Sequence, residues 1–311
     1  MDWTHRLRLR HLRMLMSIMQ TGNLSQSAEE LCTTQPALSK WLRELEEDIG
    51  LPLFERRARG LRPTEYGLAL VEHARRIEGH LNNARDDMLA LREGGTGLVS
   101  IGTSGVSAAD TVPLATAALV ERMPRAQIRL VESTMNQLMP QLIHGELDIV
   151  VGRAADTLPD PQLKNETLYR DPINFVSGLA HPLASRSSVD WHDLLDYRWI
   201  VWPAGTPVRT ALEAALATAG HTMPRHCVES NSSILNVTLL NHSNLIGVAS
   251  HRAAGRFARL NALHVLRMPR PLASSGAVAM YWRPDSESRE AVALALDCLR
   301  RSAALEPDDA R

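Results

Sequence analysis

Cysteine is scarce in this chain and lysine is nearly missing. Three cysteines, Cys32, Cys227 and Cys298, occur in 311 residues, far apart and with no C-x-x-C pair. An odd count at such spacing argues against a disulfide framework and against a structural zinc site. No metal and no cofactor is expected. Lysine occurs only at Lys40 and Lys164, and neither follows a glycine, which excludes a phosphate-cradling G-x-x-x-x-G-K loop. H-E-x-x-H and G-x-S-x-G are missing too. Gly102-Thr103-Ser104-Gly105 is no nucleophile elbow, because glycine follows the serine directly. The chain is therefore expected not to be an enzyme. No apolar run approaches the roughly 18 residues of a membrane span. The start, MDWTHRLRLRHLRMLM, alternates Arg with Leu and lacks the apolar core and cleavage site of a signal peptide, so a cytoplasmic protein is expected. The net charge is −1, so any case for a nucleic-acid partner has to be local.

What is present is a globular composition, 44% apolar and 22% charged, in a chain long enough for about two domains. Three regions separate by pattern. Residues 1–63 read as short helical segments broken by turns, 64–93 as one uninterrupted helix, and 94–304 as short apolar strands alternating with helices. In the long helix, Leu70, Ala74, Ile77, Leu81, Ala84, Met88 and Leu91 recur at 4, 3, 4, 3, 4, 3. That is the a/d seam of a coiled coil, and it predicts a homodimer. Glu72, Arg75, Arg76, Asn82, Arg85 and Asp86 fall on the opposite face, as a solvated surface would.

Residues 24–49 read as two short helices around a tight turn. Ser25 is a suitable N-cap for the first and Thr33 or Thr34 for the second, with Pro36 in its first turn, where a missing N–H costs nothing. Leu38, Leu42, Leu45 and Ile49 form the buried stripe of the second helix. Its outer face carries Gln35, Ser39, Lys40 and Arg43, side chains able to reach base edges and phosphates. Next comes LFERRARGLRPT, with Arg56, Arg57, Arg59 and Arg62 and no acid between them, turned by a glycine. Such a basic hairpin beside a recognition helix is a wing suited to phosphate or minor-groove contacts. Residues 1–63 hold nine Arg and Lys40 against eight acids, so the positive patch is directional rather than bulk.

This region resembles the winged helix–turn–helix of LysR-type transcriptional regulators. The resemblance rests on Ala28-Glu29, Gln35-Pro36-Ala37-Leu38-Ser39, Leu45-Glu46, Gly50, Leu53-Phe54-Glu55-Arg56, Thr64 and Gly67, and HGELDIVVG (144–152) matches a recurring G-x-L-D pattern of the same family. Cys32-Thr33-Thr34 departs from the family's usual turn. The resemblance covers the whole chain and implies an α+β multidomain protein: an all-α winged helix–turn–helix (1–63), a linker helix for dimerisation (64–93) and an α/β two-lobed effector domain like periplasmic binding proteins (94–304). Lobe I would hold about 94–170 and 272–304, lobe II about 171–271. The DNA-contacting residues implied are Thr33, Thr34, Gln35, Pro36, Ser39, Lys40 and Arg43 on the helix, with Arg56 and Arg59 on the wing. Implied partners are promoter DNA, a small-molecule effector, a second dimer to make a tetramer, and RNA polymerase.

In the C-terminal region, strands are expected at 98–102, 127–132, 147–152, 197–202, 244–249 and 277–283. Helices are expected between them, forming parallel sheets that the helices cover. Tyr169-Arg170-Asp171-Pro172 is a plausible crossing between lobes. Open α/β sheets bind ligands past the carboxyl ends of their strands. There lie Thr103, Ser104, Ser133, Thr134, Gly205, Thr206 and Ser232, at junctions leading into helices, where free N–H groups favour an organic or aromatic acid or a polyhydroxylated sugar. Trp199 and Trp202 lie beside the cleft strand, where they could stack on a ring, although Trp199 at least is expected to pack in the core. The competing readings are a regulator that needs no ligand and a solute-binding protein.

Overall fold

The computed structural model describes residues 3–57, 60–92, 97–108, 110–153, 160–269 and 275–305. The chain divides into two compact units close to Arg85. In the first, α1 (Leu9–Thr21), α2 (Leu24–Glu30) and α3 (Gln35–Ile49) surround one apolar core. Leu15, Ile18, Ala28, Leu38, Leu42 and Leu45 fill it, with Leu53, Phe54 and Val71 from beyond the helices. The cap of α2 is Asn23 rather than Ser25: its Oδ1 accepts the Ser25 N–H at 2.9 Å and the Gln26 N–H at 3.4 Å. Asn caps as well as Ser, and the helix starts two residues earlier, with Leu24 packed against the core. Gly50 closes α3 in the left-handed conformation, φ 76°. Two short antiparallel strands follow, β1 (Phe54–Arg57) and β2 (Gly60–Pro63). The long helix α4 (Glu65–Arg92) comes next.

The second unit is built on a sheet with β3 (Leu98–Thr103), β4 (Gln127–Glu132) and β5 (Ile149–Arg153) at one end. At the other end are β7 (Trp199–Val201), β8 (Cys227–Glu229) and β9 (Ile246–Ser250). Each trio is parallel, as expected. The middle is not, because β6 (Lys164–Ser177) and β11 (Ser275–Trp282) run antiparallel to their neighbours. The reason is connectivity. β6 pairs with β11 from Lys164 to Pro172, then with β9 from Ile173 to Ser177, so one strand belongs to both lobes. β10 (His264–Leu266) adds to its far half. The sequence pattern did not show β6 as a strand; its outer positions are mixed polar and only its second half is buried.

Helices cover the sheet: α5 (Gly105–Ala108), α6 (Thr111–Arg122), α7 (Met135–His144), α8 (Trp191–Leu195), α9 (Pro207–Thr218), α10 (Ser233–Asn241), α11 (His251–Arg259) and α12 (Glu290–Ala304). The largest core runs from Val99, Ile101 and Val151 through Phe175 to Trp199, which is fully buried; smaller ones lie under α7, around Leu138 and Leu142, and between α10 and α11, around Leu240 and Ala254. Phe175 meets Trp199 edge-on, centroids 5.2 Å apart.

The L-D step of residues 147–148 has a physical role. Leu147 is buried in the core under α7, while Asp148 turns inward and accepts the Ser100 N–H at 2.8 Å. Arg289 meets the same carboxylate at 2.6 Å and also donates to Asp87 at 2.9 Å and to the Leu98 carbonyl at 2.6 Å. One guanidinium thus ties the end of α4, the start of β3, the start of β5 and the start of α12. Burial raises the Asp148 carboxyl from its ordinary range, although Arg289 opposes the shift. Removing the cation would leave a buried carboxylate unpaired. Arg289→Ala should therefore lower unfolding free energy by about 3 kcal/mol, read as a fall in the urea midpoint, and Asp148→Asn added to it should recover part of the loss.

Candidate nucleic-acid interface and effector cleft

The turn between α2 and α3 fixes how the second helix is presented. Cys32 adopts φ 50°, a left-handed conformation unusual for a residue with a side chain. The Thr33 N–H then returns to the Ala28 carbonyl at 2.9 Å. Thr34 caps α3, its hydroxyl accepting the Ala37 N–H at 3.4 Å, and Pro36 sits in the first turn. Leu38, Leu42 and Leu45 face the core. Thr33, Thr34, Gln35, Pro36, Lys40 and Arg43 are exposed, and Ser39 is half-buried. Lys40 lies 3.7 Å from Glu44, an exposed i,i+4 pair of little energetic weight.

The wing is pinned from three sides. Glu46 Oε1 accepts the N–H groups of Leu53 and Phe54 at 2.7 and 3.0 Å, fixing the start of β1 on α3. The Thr64 hydroxyl donates to the Pro52 carbonyl at 2.6 Å and accepts the Gly67 N–H at 3.1 Å. A Cβ on Gly67 would fall 2.1 Å from the Leu53 carbonyl oxygen, so only glycine allows α4 to start there. These contacts account for Leu45-Glu46, Thr64 and Gly67 as a set. On the wing itself, Arg57 is engaged by Glu55 at 2.6 Å, whereas Arg56 is exposed and has no ion pair among the described residues. Arg59 lies outside the described residues.

Along the seam of α4, Ala74 is buried and Leu70 packs against the helix–turn–helix core. Further along, Ile77, Leu81 and Met88 are 44%, 40% and 61% exposed, and Ala84 is exposed with them. The side chain of Leu91 lies outside what is described.

The cleft junctions are mostly occupied by their own bonds. The Thr103 hydroxyl pairs with Ser107 Oγ at 3.0 Å. Ser133 donates to Gln137, which Thr134 also reaches at 3.5 Å. Thr206 donates to the Pro203 carbonyl at 2.8 Å, and Ser232 caps α10 through the Leu235 N–H at 3.4 Å. Only Ser104, of the predicted hydroxyls, is buried with its Oγ unpartnered. The lobes meet where Asn136 Nδ2 donates to the Gly205 carbonyl at 3.3 Å. They meet again at Gly105, where a Cβ would lie 2.6 Å from the Trp202 ring. Trp202 is only half-buried, its indole N–H donating to the Val248 carbonyl at 3.2 Å. Trp199 belongs to the core.

Sequence reasoning missed the charged groups around β6. Arg252, at the start of α11 in lobe II, stacks 3.8 Å over the Tyr169 ring. It also donates to the Ala303 carbonyl at 2.9 Å and approaches Asp110 to 3.7 Å. Tyr169 accepts the Thr111 hydroxyl at 2.9 Å, and burial pushes its phenol well above the usual tyrosine range. Asp171 accepts the Arg252 backbone N–H at 3.2 Å. The signal available was Arg153, a charge placed directly after the apolar run 149–152, and Asp171 within the expected crossing.

Comparison with known proteins gives two family matches. Residues 9–68 match the bacterial regulatory helix-turn-helix protein of the lysR family, and residues 92–304 match the LysR substrate binding domain. Among curated proteins, the chain is 29% identical over 296 residues to the HTH-type transcriptional regulator GbpR of Azospirillum brasilense, covering 95% of this chain and 86% of that one. It is 26% identical to PcaQ of Agrobacterium fabrum, covering 96% of each. Among solved structures, CbnR, a LysR family transcriptional regulator, aligns with TM-score 0.65 at 19% identity over 96% of this chain and 100% of that one. CbnR complexed with its target DNA aligns with TM-score 0.64 at 19% identity, over 95% and 100%.

The left-handed Cys32 costs about 1 kcal/mol that glycine would not pay. Cys32→Gly should raise stability by about 0.5 kcal/mol after the added freedom of the unfolded chain is deducted, measured as a higher thermal midpoint with unchanged helicity.

Proposed function

Because the chain belongs to the LysR family of bacterial transcriptional regulators, we propose that it reads promoter DNA as a dimer, or a dimer of dimers, under the control of a small organic acid or sugar held between its lobes. RNA polymerase is the further partner such a regulator would meet. The observation that carries the DNA-binding assignment is the pairing of two presented edges. The first turns of α3 expose Gln35, Lys40 and Arg43, and the wing that Glu46 holds beside them exposes Arg56, which has no ion pair among the described residues. Side chains of the first kind match base edges in a major groove, and the second kind matches phosphate. No helix among the described residues is long and apolar enough to cross a membrane.

The dimer reading is supported by the exposed seam of α4 and by a groove of about 690 Å³ lined by Trp3, Leu9, Leu51, Tyr66, Leu70 and Ile77. An apolar stripe left open on a single chain is what a second copy of the same helix would cover. Two copies would place their α3 helices on two half-sites of a partly palindromic operator. An effector that prefers one lobe arrangement would shift the population of arrangements, and with it the spacing of the DNA-binding domains.

Operator footprinting and salt titration test the interface. Gln35→Ala and Ser39→Ala should relax base preference at one position each by about 1–3 kcal/mol, whereas Arg56→Ala should weaken all sequences alike and reduce the salt slope by about 1. Unchanged footprints and slopes in all three variants would refute the assignment. For the seam, Ile77→Glu combined with Leu81→Glu should give monomers in sedimentation and lower operator affinity more than about tenfold. A chain that stays dimeric would overturn that assignment.

A further inference from the structure

From Ser230 to Pro284 the chain carries six arginines and no aspartate or glutamate. Three of the six, Arg252, Arg256 and Arg259, follow one another at steps of four and three on α11, so they share one face of that helix. The opposite face is apolar: Ala253 and Ala254 are buried, and Phe257 packs against the core between α10 and α11. Arg252 is engaged by the Tyr169 ring, by Asp110 and by the Ala303 carbonyl. Arg259 is exposed and Arg256 half-buried, and neither side chain has a hydrogen bond or ion pair among the described residues. Lobe II thus presents a stripe of cations that its own sequence offers no acid to meet.

The two acids beside the stripe are taken. Asp110 caps α6 through the Thr111 N–H, and Asp171 accepts the Arg252 backbone N–H. Asp297, two turns before the end of α12, is paired with Arg122 and Arg301. The next acids along the chain are Glu306, Asp308 and Asp309, three in four positions, which lie outside the described residues. The point from which they start is fixed. Arg252 Nη2 donates to the Ala303 carbonyl at 2.9 Å, so α12 of lobe I ends against the first turn of α11 in lobe II. Leu305, the last described residue, is exposed there. From Leu305 to Asp309 an extended chain spans about 13 Å, and the stripe from Arg252 to Arg259 is about 10 Å long. Reach and charge both fit.

We propose that the acidic segment 306–309 seats on the cationic face of α11, pairing with Arg256 and Arg259, and so straps lobe I to lobe II outside the shared strand β6. One exposed ion pair is worth little in water. Here several acids meet two cations held on one helix face, and the short tether from Leu305 keeps them at a high effective concentration. The strap goes beyond the effector reading and stands whether or not a ligand enters the cleft. It adds to any opening of the lobes the cost of lifting three carboxylates off the helix.

Zero-length coupling tests this, because lysine is so scarce. In the full chain, Arg256→Lys with Arg259→Lys keeps both charges and puts two amines on the stripe, where the only other lysines are Lys40 and Lys164. A water-soluble carbodiimide joins an amine to a carboxylate only where the two are in contact, and it leaves a guanidinium unreacted. Peptide mass mapping of the double variant should show an amide between an α11 lysine and Glu306, Asp308 or Asp309. That amide should be lost when Glu306→Gln, Asp308→Asn and Asp309→Asn are added. Lys164 and Glu287, an ion pair within lobe I, should couple in every variant and so report that the fold and the reagent are intact. Coupling of the α11 lysines to other acids alone, or to none while Lys164 couples, overturns the inference. Mixing ordinary and heavy-nitrogen chains decides whose segment is seated. Amides within one chain support the strap, and amides only between differently labelled chains overturn it. Operator DNA excludes the remaining occupant. If DNA abolishes the amide, and Arg256→Gln with Arg259→Gln lowers the salt slope of operator binding by about 2, the stripe belongs to DNA and the inference falls.

Discussion

One strand, β6, is shared by both lobes of the effector domain: it leaves the sheet of one at Pro172 and enters that of the other at Ile173. Any rotation of the lobes has to bend that strand, so the groups packed on it help decide which rotations are cheap. Those groups are polar, unlike the apolar cores on either side. Arg252 stacks on Tyr169 and gives its backbone N–H to Asp171, and the Thr111 hydroxyl donates to Tyr169. Directional bonds of this kind are made fully or lost fully over small displacements, whereas apolar contacts change gradually. Under the proposed effector control, a ligand that made different contacts in two lobe arrangements would move the balance between them through these bonds.

The first unit follows a different logic. Its core is small and apolar, and the polar bonds fix angles. Glu46, Thr64 and Gly67 set the wing against α3 and the first turn of α4, with Gln35, Arg43 and Arg56 exposed on the outer edges. The same economy leaves Ile77, Leu81 and Met88 uncovered on α4. Polar side chains held ready and apolar side chains left open serve different partners: the first suits a hydrated, charged duplex and the second an identical helix.

Much of this was legible in the chain itself. The stripe Leu38, Leu42, Leu45 placed α3 correctly, and the basic run after Leu53 announced the wing. The parallel trios of strands followed from their alternation with helices. Less was legible where neighbours in space set the outcome. Asn23 displaced Ser25 as a cap because of what Leu24 could reach. β6 was hidden, since a strand shared between two lobes shows each lobe a different face and carries no single period. At the cleft, Thr103, Thr206 and Ser232 look like ligand hydroxyls in sequence and are engaged by the backbone or by Ser107 in the fold.

The sequence by itself determined the family, the helix–turn–helix, the long helix α4 and the alternating α/β class. Each of these rests on local periodicity or on a motif whose bonds span a few tens of residues. Tertiary structure alone decided which charges end up buried together. Arg153, Asp171 and Gly276 are separated by long stretches of chain and come together through the register of β5, β11 and β6. No spacing along the chain encodes that meeting, because a cross-strand register is settled by the whole sheet rather than by any one of its strands.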